Sequence, residues 1–138
     1  MAITESLRKQ HAEMVEAVRQ IDAGLDPQRL AASAGEIRNR LSALLGKLTM
    51  HLAVEDNSLY PSLAKHANPK LREIGSKFAS EMSAVKPSVE AFSKKWTESA
   101  ITKDAAGFCA EAKKLFGVLG ERIKRENTEL YPLLEDRG

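Results

Sequence analysis

Four residues of this chain have types and positions that suit a metal ion: His11, His51, Glu55 and Glu126. His51 and Glu55 stand four apart, a spacing that on a helix brings two side chains onto one face, with Cβ atoms about 5–6 Å apart. Imidazole together with carboxylate suits iron, zinc or manganese. The other two join the same kind of face. His11 lies four residues after Leu7 and three before Met14, and Glu126 lies four after Arg122, itself three after Leu119. All four therefore sit on apolar helical stripes. A buried carboxylate carries a heavy desolvation cost and needs a proton or a cation as partner.

Other chemistries find little support. Glu-x-x-His, the ligand motif of ferritin-like di-iron bundles, is absent, since Arg8, Leu48 and Leu63 stand three before the histidines. Phosphotransfer on His51 is disfavoured because Glu55, one turn later, would repel a phosphoryl group. No serine or Cys109 stands beside a histidine as a nucleophile would.

The elements that must hold these residues read as helices. Ala and Leu outnumber Val, Ile and Thr about two to one, which favours an all-α domain. Asp26-Pro27 and Asn68-Pro69 each put a capping side chain before a proline suited to the first turn. Thr4 and the stretch 102–104 are weaker starts of this kind. Apolar residues recur at helical spacing in four runs, from Leu7 to Ile21, Leu30 to Leu52, Leu71 to Trp96 and Phe108 to Leu133. Short connections predict antiparallel neighbours, hence an up-down-up-down four-helix bundle in a single domain spanning 1–138. Pro87 is expected to kink the third helix.

One motif occurs twice. Residues 55–63 read Glu-Asp-Asn-Ser-Leu-Tyr-Pro-Ser-Leu and residues 126–134 read Glu-Asn-Thr-Glu-Leu-Tyr-Pro-Leu-Leu, identical at five of nine positions. Each Tyr-Pro step predicts a helix end, because proline disfavours helical geometry in the residue before it. The two glutamates thus occupy matching points of two similar helical hairpins. His11 in Leu-Arg-Lys-Gln-His-Ala-Glu-Met, His51-Leu-Ala-Val-Glu55 and the paired Glu-x-x-x-Leu-Tyr-Pro motifs together resemble the haemerythrin-like (HHE cation-binding) domain family over nearly the whole chain. The resemblance implies a four-helix bundle around a di-iron centre that binds or senses oxygen, nitric oxide or redox state. It also implies two bridging carboxylates, one iron on histidines of helices 1 and 2, and the other on histidines of helices 3 and 4.

The chain departs from that pattern on one side only. Arg122 stands where the helix 4 histidine is expected, and Met82 and Lys86 stand at the positions for the helix 3 pair. The retained set is His11, His51, Glu55 and Glu126, so an intact di-iron centre is not expected. Two readings remain. In one, a single iron, or zinc or manganese, is held by the retained set, leaving room for a small diatomic ligand. In the other, Arg122, aided by Lys86 if that residue turns inward, forks to the carboxylates in place of metal, and Met82 fills space an imidazole would have used. The function expected is binding or sensing rather than catalysis. The alternative is a vestigial site in a protein-interaction or oligomerisation module.

Composition narrows the partners. The 138 residues carry a formal net charge of only +2, which argues against a nucleic-acid binder. No run of 18 apolar residues occurs, and residues 1–10 lack a signal-like stretch. With Cys109 as the one cysteine, no internal disulfide can form, and a cytoplasmic location is expected. His66 reads as a surface residue and Trp96 and Cys109 as core. Tyr60 and Tyr131 read as packing residues whose hydroxyls are placed to reach a site carboxylate.

Overall fold

A computed structural model describes residues 2–135, the side chains of Ala2 and Met82 apart. Helix α1 (Ala2–Asp22) and helix α2 (Pro27–Val54) are joined by a tight turn. Asp26 caps α2 by accepting from the backbone N–H of Gln28, with Pro27 at the first helical position, where its missing N–H costs nothing. Asn68 does the same for α4 (Pro69–Met82), accepting from Lys70. Thr4, expected as a helix start, lies instead inside α1 and is buried.

The Tyr-Pro steps do not end their helices. After α2 comes a π-helical turn, Glu55–Leu59, and then α3 (Tyr60–Ala64). After α7 (Ala105–Arg125) comes a second π turn, Glu126–Leu130, and then α8 (Tyr131–Glu135). A proline in a helix lacks a donor, and its ring crowds the carbonyl four residues back. Widening the preceding turn relieves that clash, and the Tyr60 N–H reaches the Glu55 carbonyl while the Tyr131 N–H reaches that of Glu126. Such π turns tend to occur at functional sites. The chain thus passes through each Tyr-Pro step without leaving the helix.

Pro87 acts as expected. Helix α4 stops at Met82 and α5 (Val85–Lys95) begins after a break at residues 83–84, four residues before the proline, where its ring would meet a carbonyl. A short helix α6 (Glu98–Lys103), capped by Thr97, precedes α7, which is capped by Asp104. Among the described residues the helical runs are therefore 2–22, 27–64, 69–82, 85–95, 98–103 and 105–135, with the third expected helix in two pieces. No strand occurs among them, and the chain is all-α.

Pairing distances give directions. From α1 to α2, Gln20 meets Arg40, Glu13 meets Lys47 and Gln10 meets His51. Numbers fall on one helix as they rise on the other, so the two run antiparallel. Arg8 meets Glu135 while His11 meets Asn127, so α1 is antiparallel to α7 and α8 as well. Leu7, Ile21, Leu30, Leu41, Phe108 and Leu130 have no exposed surface and form the packed centre, with Trp96 and Cys109 buried beside them. No helix of the described residues is long and apolar enough to cross a membrane.

Candidate metal centre

His11 from α1, His51 from α2 and the leading glutamates of the two π turns converge, none more than 1% exposed. One ligand atom from each lies within 4.8 Å of the others. The Nε2 atoms of His11 and His51 are 3.0 Å apart. Glu126 Oε1 lies 3.0 Å from His11 Nε2 and 3.8 Å from His51 Nε2, and Glu55 Oε1 lies 3.4 Å from His51 Nε2.

The surroundings aim these atoms. The Nδ1 of His11 is 2.9 Å from Asn127 Oδ1, and the Nδ1 of His51 is 2.8 Å from Gln10 Oε1. An amide oxygen accepts, so each ring donates its Nδ1 hydrogen outward and turns its Nε2 inward. Neither Gln10 nor Asn127 stands out by residue type, and the sequence reading names neither; their contacts with the imidazoles reveal them.

The carboxylates are held crosswise. Each tyrosine bonds its own turn's glutamate only through the backbone, and each hydroxyl reaches the other copy. Tyr60 donates to Glu126 Oε2 at 3.1 Å and Tyr131 to Glu55 Oε2 at 2.9 Å. Burial, and then the neighbouring carboxylate charges, push both phenols well above the ordinary tyrosine value, so both remain donors. Tyr131 also stacks on the His11 ring, with centroids 5.3 Å apart and planes 16° apart.

The charges balance awkwardly without a central cation. Burial disfavours the charge on His51, but its contacts with Glu126 and Glu55 outweigh that and lift it to about 9. Burial raises Glu55, aided by the charge of Glu126. Glu126 is driven low in spite of burial, because His11 and His51 bond to it. Two imidazole lone pairs 3.0 Å apart repel unless a proton or a metal lies between them. Glu55 Oε1 is buried with no hydrogen-bond partner among the described residues, in ion-pair range of His51 but outside hydrogen-bond geometry. Two imidazole nitrogens, two carboxylate oxygens and an orphaned oxygen among them fit a divalent transition metal.

Arg122 is buried but serves a different partner from the one expected. Its Nη1 lies 3.1 Å from Glu81 Oε2, its Nη2 donates to the Phe78 carbonyl at 3.4 Å, and its guanidinium sits 5.2 Å from the centre of the Phe78 ring. Arg125 shares Glu81 at 2.7 Å and flanks the same ring. Glu55 and Glu126 already hold tyrosine and histidine partners, whereas Glu81 is one-third exposed and cheaper to pair. Lys86 is exposed on α5. The side chain of Met82 lies outside the described residues. Among the described residues no ion pair joins Arg122 or Lys86 to either site carboxylate. His66 is half-buried, with its Nδ1 accepting from the Asn68 N–H, and takes no part in the centre.

Compared with known proteins, residues 2–134 match the family model of the Hemerythrin HHE cation binding domain. Neither a curated protein nor a solved structure matches the chain.

Proposed function

We propose a function from one premise: the chain belongs to the haemerythrin HHE cation-binding domain family. The protein holds one divalent transition metal, iron foremost, with zinc or manganese as the chemical alternatives, on His11, His51, Glu55 and Glu126. It uses that centre to bind or sense a small ligand or redox state rather than to catalyse. The reading rests above all on the buried convergence of two Nε2 atoms and two carboxylates, with Glu55 Oε1 left unpartnered. One ion rather than two is supported by the other half of the centre. Arg122 stands at the helix 4 position expected of a histidine and is tied to α4 through Glu81 and Phe78. We further infer a single domain over 1–138 whose four long segments run up and down in turn, and a cytoplasmic setting consistent with the lone buried Cys109.

A bound iron would supply an open coordination position and a one-electron couple. The protein's own residues prepare for it. Gln10 and Asn127 fix the imidazole tautomers, and Tyr131 and Tyr60 hold one oxygen of each carboxylate. The apolar packing of Leu7, Leu48 and Leu130 around the site keeps bulk water away. Iron(II) titrated anaerobically into metal-stripped protein tests the assignment. The expected stoichiometry is near one per chain, abolished in His51→Ala. Absence of binding at micromolar iron refutes the site, and two ions per chain refute the single-metal reading.

A further inference from the structure

Ligand atoms this deeply enclosed need a route to solvent, and the walls of the site are not equivalent. On one side stand Gln10 and Asn127, each partly exposed. Behind them lie the backs of the His11 and His51 rings, and an ion arriving there would have to push a ligand aside. On another side is a pocket of about 460 Å³ between the first π turn with α3 and the facing helix α4. It is lined by Asp56, Tyr60, Pro61, Arg72, Ser76 and Ala79, among others.

Tyr60 belongs to both the pocket and the site. It lines the pocket, is 8% exposed, and its hydroxyl is 3.1 Å from Glu126 Oε2. One side chain that is not itself among the four ligands therefore separates solvent from a ligand carboxylate. Small residues, Ala64, Gly75, Ser76 and Ala79, line much of the pocket. At Gly75 a Cβ would stand 2.7 Å from that of Leu63, so the close approach of α3 and α4 there depends on glycine. Asp56 is exposed and gives an approaching cation its first partner. Arg72 also lines the pocket, its guanidinium donating to the carbonyls of His66 and Ala67 at 2.7 and 3.2 Å. The grooves between α5 and α7 share no residue with the hydrogen-bonded surroundings of the four ligands.

We propose that the pocket between α3 and α4 is the path by which a divalent cation reaches the centre, with Asp56 at its mouth and the Tyr60 ring as its inner wall. The proposal rests on the single-metal reading, and its test separates the two. Cobalt(II) serves as probe, its visible ligand-field bands reporting occupancy, with loading followed by stopped flow in metal-stripped full-length protein. Tyr60→Ala removes the wall and should speed loading by about tenfold or more, while Ala79→Trp fills the pocket and should slow it by about tenfold and still end at the wild-type stoichiometry. Tyr60→Phe keeps the wall and loses only the bond to Glu126 Oε2, so Tyr60→Ala should load about tenfold faster than Tyr60→Phe, which distinguishes a steric wall from the lost hydrogen bond. If wild type loads one cobalt and either Tyr60→Ala or Ala79→Trp also loads within about threefold of it, the path is refuted while the metal site stands. If wild type takes up no cobalt, the metal reading itself fails. A melting curve for each variant confirms that it is folded, and Ala79→Trp answers the question if Tyr60→Ala does not fold.

Discussion

Replacing Arg122 with alanine separates two roles for this buried guanidinium. If it neutralised Glu55 and Glu126, its loss would strand buried charge and cost about 3–5 kcal/mol. The contacts observed imply much less. The stack on Phe78 at 5.2 Å is worth about 0.5–1 kcal/mol. The ion pair with Glu81, one-third exposed and also held by Arg125 at 2.7 Å, adds about 0.2–1 kcal/mol. We therefore expect Arg122→Ala to destabilise the metal-free protein by about 1–2 kcal/mol, a drop in Tm of about 3–8 °C for a chain of this size. Urea denaturation of the metal-free protein, followed by far-UV circular dichroism, measures it. A double-mutant cycle with Glu81→Ala should return a coupling of about 0.5–1 kcal/mol, and a cycle with Glu126→Gln one near zero. Metal stoichiometry should not change. A loss above about 3 kcal/mol, or strong coupling to Glu126, would show that Arg122 serves the centre and would refute the reasoning.

The remaining predictions concern the centre itself. Tyr131→Phe leaves Glu55 Oε2 buried without a donor, and should cost the metal-free protein about 1–3 kcal/mol in the same denaturation assay. Gln10→Leu frees the tautomer of His51 and should weaken metal binding about 10- to 100-fold by competition titration, with Gln10→Glu retaining most of the affinity. The pH dependence has a definite sign. His51 is raised to about 9 and Glu55 is raised as well, so each favours the metal-free fold in its protonated form. For His51 that contribution is complete below the unfolded value of about 6.5 and is lost as pH rises through about 9. Metal-free stability should fall across this window while metal affinity rises, because ligands must shed protons to bind. Calorimetric titration in buffers of differing ionisation enthalpy should show proton release near neutral pH; proton uptake would contradict the assignment.

Much of the site was legible because helical spacing is a local rule. His51 and Glu55 had to share a face once their segment was helical, and His11 had to follow Leu7 and Met14 inward. The duplicated Glu-x-x-x-Leu-Tyr-Pro motif marked equivalent points before any contact was known. The Tyr-Pro reading failed for an equally local reason: proline's clash can be relieved by ending a helix or by widening one turn, and neighbouring residues do not reveal which. Helix α6 was hidden by a similar ambiguity, since Thr97 is an ordinary capping residue with no apolar run after it. Gln10 and Asn127 became visible only when their oxygens were found beside the two imidazoles.

By itself the sequence determined the all-α class, the starts of α2 and α4, and the four residues that meet at the centre. Those follow from capping chemistry, propensity and the helical repeat, all short-range. Only the tertiary structure decided which partners the charges took. Arg122 faced inward on its stripe in either case, but Glu81 and Phe78 drew it to the wall between α4 and α7. The two carboxylates were left to the histidines and the tyrosines. That choice turns on desolvation and distance between helices far apart in the chain, and no local pattern encodes either.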